Sequence, residues 1–320
     1  MNLKKLGLIL LTGALSFQTF ATNSIEIGFE NEQYDSTYND SDLIAPYTKL
    51  NLNPIKDSNL QLEFKYMYFH QYGKTRNEGH NNRFKSRKDR YEFFASGYKY
   101  KNGNFTFSPK IGFRYEISDI NKEKNSSQDE RMFNLRFYPN FTYNINNDIQ
   151  LYLNGHTGPM INRVQQGTRL KNDGTSATYW HDWYQEMEIL GVKYKIDSNN
   201  SIWTSIFNEY KNREHKDEFT RWQWRIGYNW NATSDLSINP FIRYDLSYKT
   251  TDKKETSKTY NQEKDGNEIR IGSTFKYKIN PSLALGGEVY WQQATVDNYN
   301  KPKDQYKHRM FYKLSISKTF

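Results

Sequence analysis

A chain whose side chains change character at every second residue is confined to extended structure, and the last sixteen residues of this one, Gln305–Phe320, come close to doing so throughout. Tyr306, His308, Met310, Tyr312, Leu314, Ile316, Lys318 and Phe320 form one set; Lys307, Arg309, Phe311, Lys313, Ser315, Ser317 and Thr319 form the other. Successive side chains of a strand leave on opposite faces, so this is one strand with an aromatic, apolar face and a cationic, polar face. The polar face is too basic for a protein core, and the strand is long for a water-soluble domain. A wall with lipid on one side and water on the other asks for this pattern. An edge strand of a soluble sandwich would also satisfy this stretch, so the rest of the chain must decide.

The same unit recurs along the sequence. Ile25-Glu-Ile-Gly-Phe29 alternates, followed by a polar loop at Tyr34–Asp42 and a weaker strand at Pro46–Leu52. Leu60, Leu62, Phe64, Tyr66 and Tyr68 share a face, with Gln61, Glu63 and Lys65 opposite; Gly73–Arg90 reads as a long loop. Phe94–Tyr100 leads to the Lys101-Asn-Gly-Asn104 hairpin signal, then Ile111, Phe113, Tyr115 and Ile117 back onto Lys110, Arg114 and Glu116. Phe133, Leu135 and Phe137 oppose Asn134 and Arg136, while Leu151 and Leu153 oppose Asn154 and His156; Asn162–Ala177 is polar. The next strand is read from Leu190 to Ile196, and Ile202–Tyr210 rises after the Asp197-Ser-Asn-Asn200 turn. Trp222, Trp224, Ile226, Tyr228 and Trp230 alternate with Arg221, Gln223, Arg225 and Asn229. Ile238, Ile242, Tyr244, Leu246 and Tyr248 alternate with Arg243, Asp245 and Lys249, ahead of a long loop at Thr250–Gly266. Ile269–Ile279 and Leu283–Gln292 complete the series.

The reading is all-β: an antiparallel, up-and-down transmembrane barrel of about 14 strands, with short turns on the side of the termini and long loops on the other. A mean hydropathy of −0.98 rules out a helical membrane protein but not a barrel, in which half of every strand faces water. Aromatic residues make up 17% of the chain, 26 of them Tyr, as interfacial girdles require. Met1–Ala21 reads as a cleaved signal peptide: Lys4 and Lys5, the apolar run Leu6–Leu15, then Thr19-Phe20-Ala21. Residues 22–320 form one domain, since no linker or change of composition divides them. Cysteine is absent, so disulfides and zinc-thiolate sites are ruled out. The formal charge of +9 falls to +7 once Lys4 and Lys5 leave; the cations are spread over many strands of an exported chain, which argues against nucleic acid.

With these strands placed, the chain resembles the monomeric outer-membrane porins of the OmpG family over nearly its whole mature length. The likeness lies in Asp42–Asn53 and its turn, in Asn104-Phe-Thr-Phe with Ile-Gly-Phe-Arg-Tyr115, in Glu188 and Gly191-Val-Lys-Tyr194, and in the last strand. The resemblance implies a monomeric 14-stranded pore for ions and sugars with a lid before its twelfth strand, here the loop carrying Lys253, Lys254, Lys258 and Lys264. The family's pair of gating histidines falls on Asn267 and the Ala294–Thr295 region, so its pH gate is not expected here.

No set of residues suggests catalysis. His156 shares a face with Asn154 but has no serine partner, and the stretches of Asp are too short for a calcium loop. No enzyme, no metal and no cofactor is expected. The Trp and Arg residues of Arg221–Arg225 face opposite ways and cannot form a nucleic-acid stacking platform.

The inward face is the candidate site. Its expected cations are Lys65, Lys110, Arg114, Arg136, Lys211, Arg221, Arg225, Arg243, Arg270, Lys276, Lys307, Arg309 and Lys313. Its expected acids are fewer: Glu63, Glu116, Glu209, Asp245, Glu268 and Glu288, with Asp245 across from Arg221 and Arg225 diagonal to Arg243. The expected function is an outer-membrane porin, a monomer set in lipid and lipopolysaccharide, passing ions and small hydrophilic solutes such as sugars with a preference for anions. The alternatives are a pore dedicated to acidic oligosaccharides, and a plugged barrel serving adhesion or partner binding through its loops.

Overall fold

The computed structural model describes residues 23–34, 42–55, 58–72, 85–122, 126–167, 178–214, 217–255, 260–298 and 301–320; the expected signal peptide and Lys258 lie outside them. The strands are β1 (Ser24–Tyr34), β2 (Asp42–Leu52), β3 (Gln61–Tyr72), β4 (Lys85–Ser96), β5 (Tyr100–Asn102), β6 (Phe105–Phe107), β7 (Lys110–Lys122), β8 (Ser126–Tyr138) and β9 (Phe141–Asn144). They continue with β10 (Ile149–Gly167), β11 (Thr178–Lys195), β12 (Asn200–Arg213), β13 (Asp217–Asn231), β14 (Leu236–Asp252), β15 (Glu263–Asn280), β16 (Leu283–Asn298) and β17 (Lys301–Thr319). All pair antiparallel in one sheet that closes on itself, because β1 is bonded both to β2 and to β17.

Three staves are interrupted. β4 and β5 make one, β6 and β7 the next, β8 and β9 the third, so the seventeen segments form a fourteen-stave barrel. The breaks fall side by side, at Gly97, at Ser108-Pro109 and at Pro139-Asn140. A proline has no N–H to give the ladder. Ser108 N and Asn140 Nδ2 repair part of the gap by donating to Asn140 O (3.0 Å) and Ser108 O (3.2 Å).

The turns near the termini are tight for identifiable reasons. Gly103 turns the β5–β6 hairpin at φ +55°, a region open to glycine. Side-chain oxygens close others: Asn146 Oδ1 accepts from Asp148 N (2.9 Å) and Ile149 N (2.8 Å), and Asp197 Oδ1 accepts from Asn199 N (2.7 Å). At the opposite end the strands run further than their polarity suggests. The loops read at Asn162–Ala177 and Thr250–Gly266 contain the ends of β10, β14 and β15, with Lys249, Thr250 and Thr251 paired to Asp265, Lys264 and Glu263. Backbone pairing continues into water, where neither face of a hairpin has to be apolar. The lid is therefore shorter than expected: Lys264 lies in β15, and Lys253 pairs with Glu218 at 3.5 Å.

The outward face is apolar and uncovered. Leu190 (56% exposed), Ile111, Phe137, Trp224, Ile271 and Leu314 stand on it, and in water such a band would aggregate. Cross-strand aromatics knit it together: Phe64, Phe93, Phe113 and Phe133 follow one another at 4.9, 5.8 and 5.4 Å. Polar tips there are satisfied within the wall, as where Trp224 Nε1 donates to Thr204 Oγ1 (2.8 Å). His308 stacks on Trp291 on the same face, as expected of it.

Candidate functional site

Alternation, read from the observed pairing, sends the opposite set of side chains into the barrel. All the cations proposed for the lumen stand on it, and so do Glu63, Glu116, Glu209, Asp245, Glu268 and Glu288. The sequence reading missed further inward acids, among them Glu26, Glu30, Glu32, Glu92, Glu186 and Glu188. These turn a predominantly cationic wall into a set of ion-pair ladders.

One ladder spans β17, β1, β2, β3, β4 and β7. Glu30 lies 3.8 Å from both Lys65 and Lys313, whose ammonium groups sit over the Tyr47 ring at 4.6 and 5.1 Å. Tyr47 donates its hydroxyl to Glu26 (2.5 Å). Lys49 pairs with Glu63 (2.9 Å), Arg114 with Glu92 (2.6 Å), and Arg90 with Glu116 (2.6 Å). Lys110 rests over Phe94 (4.3 Å) and Tyr138 (4.5 Å).

The second ladder crosses β11 to β15. Arg221 faces Glu209 (3.5 Å), Asp245 (3.5 Å) and Glu268 (3.1 Å), so Asp245 does stand beside it as expected, but as one of three acids. Glu268 also takes Arg270 (2.7 Å) and a hydrogen bond from Gln292 (2.8 Å). Arg225 reaches Glu188 (3.5 Å) and donates to Gln223 Oε1 (2.7 Å), whose amide donates to Asp245 (2.9 Å). Arg309 pairs with Glu32 (3.1 Å) and donates to the Tyr290 hydroxyl (3.0 Å). Bidentate-capable guanidiniums held this way are fixed in direction as well as charge.

The observed pairing corrects the register in two places. Arg225 and Arg243 are not diagonal but directly opposite, and Arg243 is directly opposite Arg270. A register shift between Trp222 and Gln223 takes up an extra residue of β14, which turns Tyr248 inward against Phe219 (5.0 Å) and Arg221. A second bulge, between Glu188 and Leu190, leaves Ile189 and Leu190 both exposed and broke the pattern by which Glu186 and Glu188 could have been read as inward.

Arg243 stands apart. Among the described residues it has no ion pair and no hydrogen bond; its guanidinium lies over the Phe241 ring at 4.6 Å, and its Nε is buried without a partner. Arg136 is 3% exposed and is held by the Asn134 oxygen (2.6 Å) rather than by an acid. His156, buried between the rings of Tyr138 (5.1 Å) and Tyr184 (5.4 Å), lies 3.8 Å from Glu186. It is packed as part of the wall. No cluster of His, Cys, Asp or Glu with the shape of a metal site occurs among the described residues.

No model of a known protein family matches the chain, and no curated protein sequence does. Solved structures do match. The CymD monoaromatic hydrocarbon channel superimposes with a TM-score of 0.56 at 8% identity, over 98% of this chain and 92% of that one. The Ralstonia pickettii toluene transporter TbuX gives 0.54 at 8% identity, over 93% and 89%. A Pseudomonas aeruginosa FadL homologue gives 0.51 at 11% identity, over 96% and 91%. At such identities the likeness is one of fold: the chain is a fourteen-stranded barrel of the outer-membrane class. The matches support that class and not the narrower resemblance to OmpG porins.

Proposed function

We propose that the barrel is a passive diffusion channel of the outer membrane for small hydrophilic, charged solutes. The observation that carries this reading is the ionised lumen: acids and bases from most staves meet on the inner face, where apolar packing would have closed the bore. A closed barrel is filled by side chains of matched apolar shape, whereas long charged side chains are hydrated by water in a bore. The ladders pair most of the charge, which argues for weak selectivity over most of the lumen; the excess is positive along Arg225, Arg243 and Arg270, and gives the preference for anions. Oligosaccharides fit the same lining through its amides and rings. The reading includes no catalytic step, and it takes the barrel to act as a monomer in contact with lipid and lipopolysaccharide.

CymD is a monoaromatic hydrocarbon channel and TbuX a toluene transporter, and one feature here favours that second reading: Phe69, Phe94, Phe207, Phe241, Tyr290 and Phe311 all point inward. Five of the six carry a cation, as with Lys88 over Phe69 (4.2 Å) and Arg225 over Phe207 (3.3 Å), and Phe311 is stacked on Tyr290 (4.6 Å), so an apolar solute would meet charge at most of the rings. Refolded protein in planar bilayers and in liposomes separates the two. Stepwise ionic conductance with liposome swelling in a small sugar is expected. A barrel that conducts no ions and admits no sugar, yet speeds toluene transfer into the vesicle lumen, would overturn the first reading for the second.

A further inference from the structure

Cross-strand neighbours of like charge repel, and a sheet normally avoids placing them opposite one another. Here three guanidiniums stand in one rung: Arg225 opposite Arg243, and Arg243 opposite Arg270. The rung continues on one side to Ser205 and on the other to Gln292 and Arg309. Each of the three arginines is braced on an aromatic ring, Phe207 at 3.3 Å, Phe241 at 4.6 Å and Tyr290 at 4.6 Å. Stacking fixes the plane of the guanidinium and leaves its N–H edges free to meet a planar or tetrahedral oxyanion.

The acids around the rung serve its ends and not its middle. Glu188 is 3.5 Å from Arg225, and Glu268 is 2.7 Å from Arg270 but is shared with Arg221. Glu288 on β16 stands opposite Lys313 in the register, and among the described residues no ion pair joins it to Arg243. Among the described residues the central guanidinium has neither ion pair nor hydrogen bond, and the Nε atoms of both Arg243 and Arg270 are buried and unpartnered. Three braced, mutually repelling, incompletely satisfied cations in a lumen wall describe a binding site whose counter-charge arrives with the solute.

We infer that Arg225, Arg243 and Arg270 bind a small multivalent oxyanion, carrying carboxylate or phosphate groups, as a saturable station in the lumen; this deepens the reading of the barrel as a channel for charged solutes. Neighbouring strands are about 4.8 Å apart, so the three positions span about 10 Å, which two or three anionic groups on one small molecule can bridge. A single chloride or acetate cannot.

The test is calorimetric titration of the refolded barrel in detergent with citrate and, separately, inorganic tripolyphosphate, against acetate at matched ionic strength. Saturable binding of citrate or tripolyphosphate, absent for acetate, is expected, and Arg243→Gln should weaken it at least tenfold. Arg243→Lys keeps the charge but not the fork, and should fall between. Stronger citrate than tripolyphosphate binding would identify carboxylate as the preferred group, and the reverse would identify phosphate. Equal heats for all three anions, or an unchanged affinity in both Arg243 variants, would overturn the site. Binding in detergent needs no open bore: a barrel that binds citrate but conducts nothing refutes the channel reading alone, and one that conducts without saturable binding refutes the site alone.

Discussion

Glu268 holds the second ladder together, and its removal should be felt more than that of any surface acid. Its side chain is 6% exposed, and it faces Arg221 at 3.1 Å and Arg270 at 2.7 Å while accepting from Gln292 at 2.8 Å. Two unit charges about 4 Å apart attract by about 4 kcal/mol at an effective dielectric constant near 20. Breaking a buried pair from one side typically costs about 3–5 kcal/mol, because the remaining charge stays desolvated. Arg221 keeps Glu209 and Asp245, each at 3.5 Å, so its share of the loss is partly offset. Arg270 has no second acid in contact among the described residues. The Glu268→Gln barrel, which preserves shape and one acceptor oxygen, should therefore lose about 2–4 kcal/mol. Urea unfolding from lipid vesicles, followed by tryptophan fluorescence and by heat-modifiable mobility, reads this directly. Glu263→Gln is the control: its pair with Lys249 (3.4 Å) leaves both side chains more than half exposed, and such pairs contribute about 0.2–1 kcal/mol. If the two variants unfold at the same urea concentration, the ladders contribute charge pattern and not stability, and the reasoning fails.

Deleting β17 should abolish the barrel, because β16 and β1 would both become unpaired edges in lipid; a truncated chain that still runs as a heat-modifiable, protease-resistant band would refute the closure argument. Gly155 adopts φ +112°, and an added Cβ would lie 2.1 Å from Glu186 O, so Gly155→Ala should cost about 1–3 kcal/mol in the same urea assay, with a wild-type midpoint as the contrary result. Replacing residues 253–262 by a two-residue turn should leave unfolding unchanged and quieten rapid fluctuations of single-channel current; undiminished flicker would remove any lid role from this hairpin.

Fold was legible in the sequence wherever the period of two ran unbroken. In β13 the Trp and Arg sets separate cleanly, and Trp222 and Trp224 do stand on the outside while Arg221 and Arg225 stand within. The seam between β1 and β17 was also foreseeable, from Ile25–Phe29 at one end and the aromatic terminus at the other. The site was legible in its cations and in part of its acids. Glu26, Glu30 and Glu32 obey the alternation set by Ile25, Ile27 and Phe29, so β1 does carry the signal for them. Glu186 and Glu188 were hidden by a bulge, since one extra residue moves every later side chain to the other face. The extent of Thr178–Glu188 and of Glu263–Gly266 was hidden for another reason. Beyond the lipid both faces of a strand meet water, hydrophobic periodicity disappears, and only backbone pairing marks the element.

The seam has a consequence for how such a molecule comes into being. Ser24 is matched to Thr319, and Asn23 and Phe320 exchange backbone hydrogen bonds of 3.2 and 2.9 Å. β1 therefore waits for β17, with fifteen other strand segments threaded between them. Until that pairing forms the sheet has two open edges, each a template for adhesion to any other strand. Loop closure over such a span is entropically dear and slow, so completion depends on surroundings that hold the ends apart from strangers and bring them to each other. A barrel zipped in this way closes only when these two strands meet.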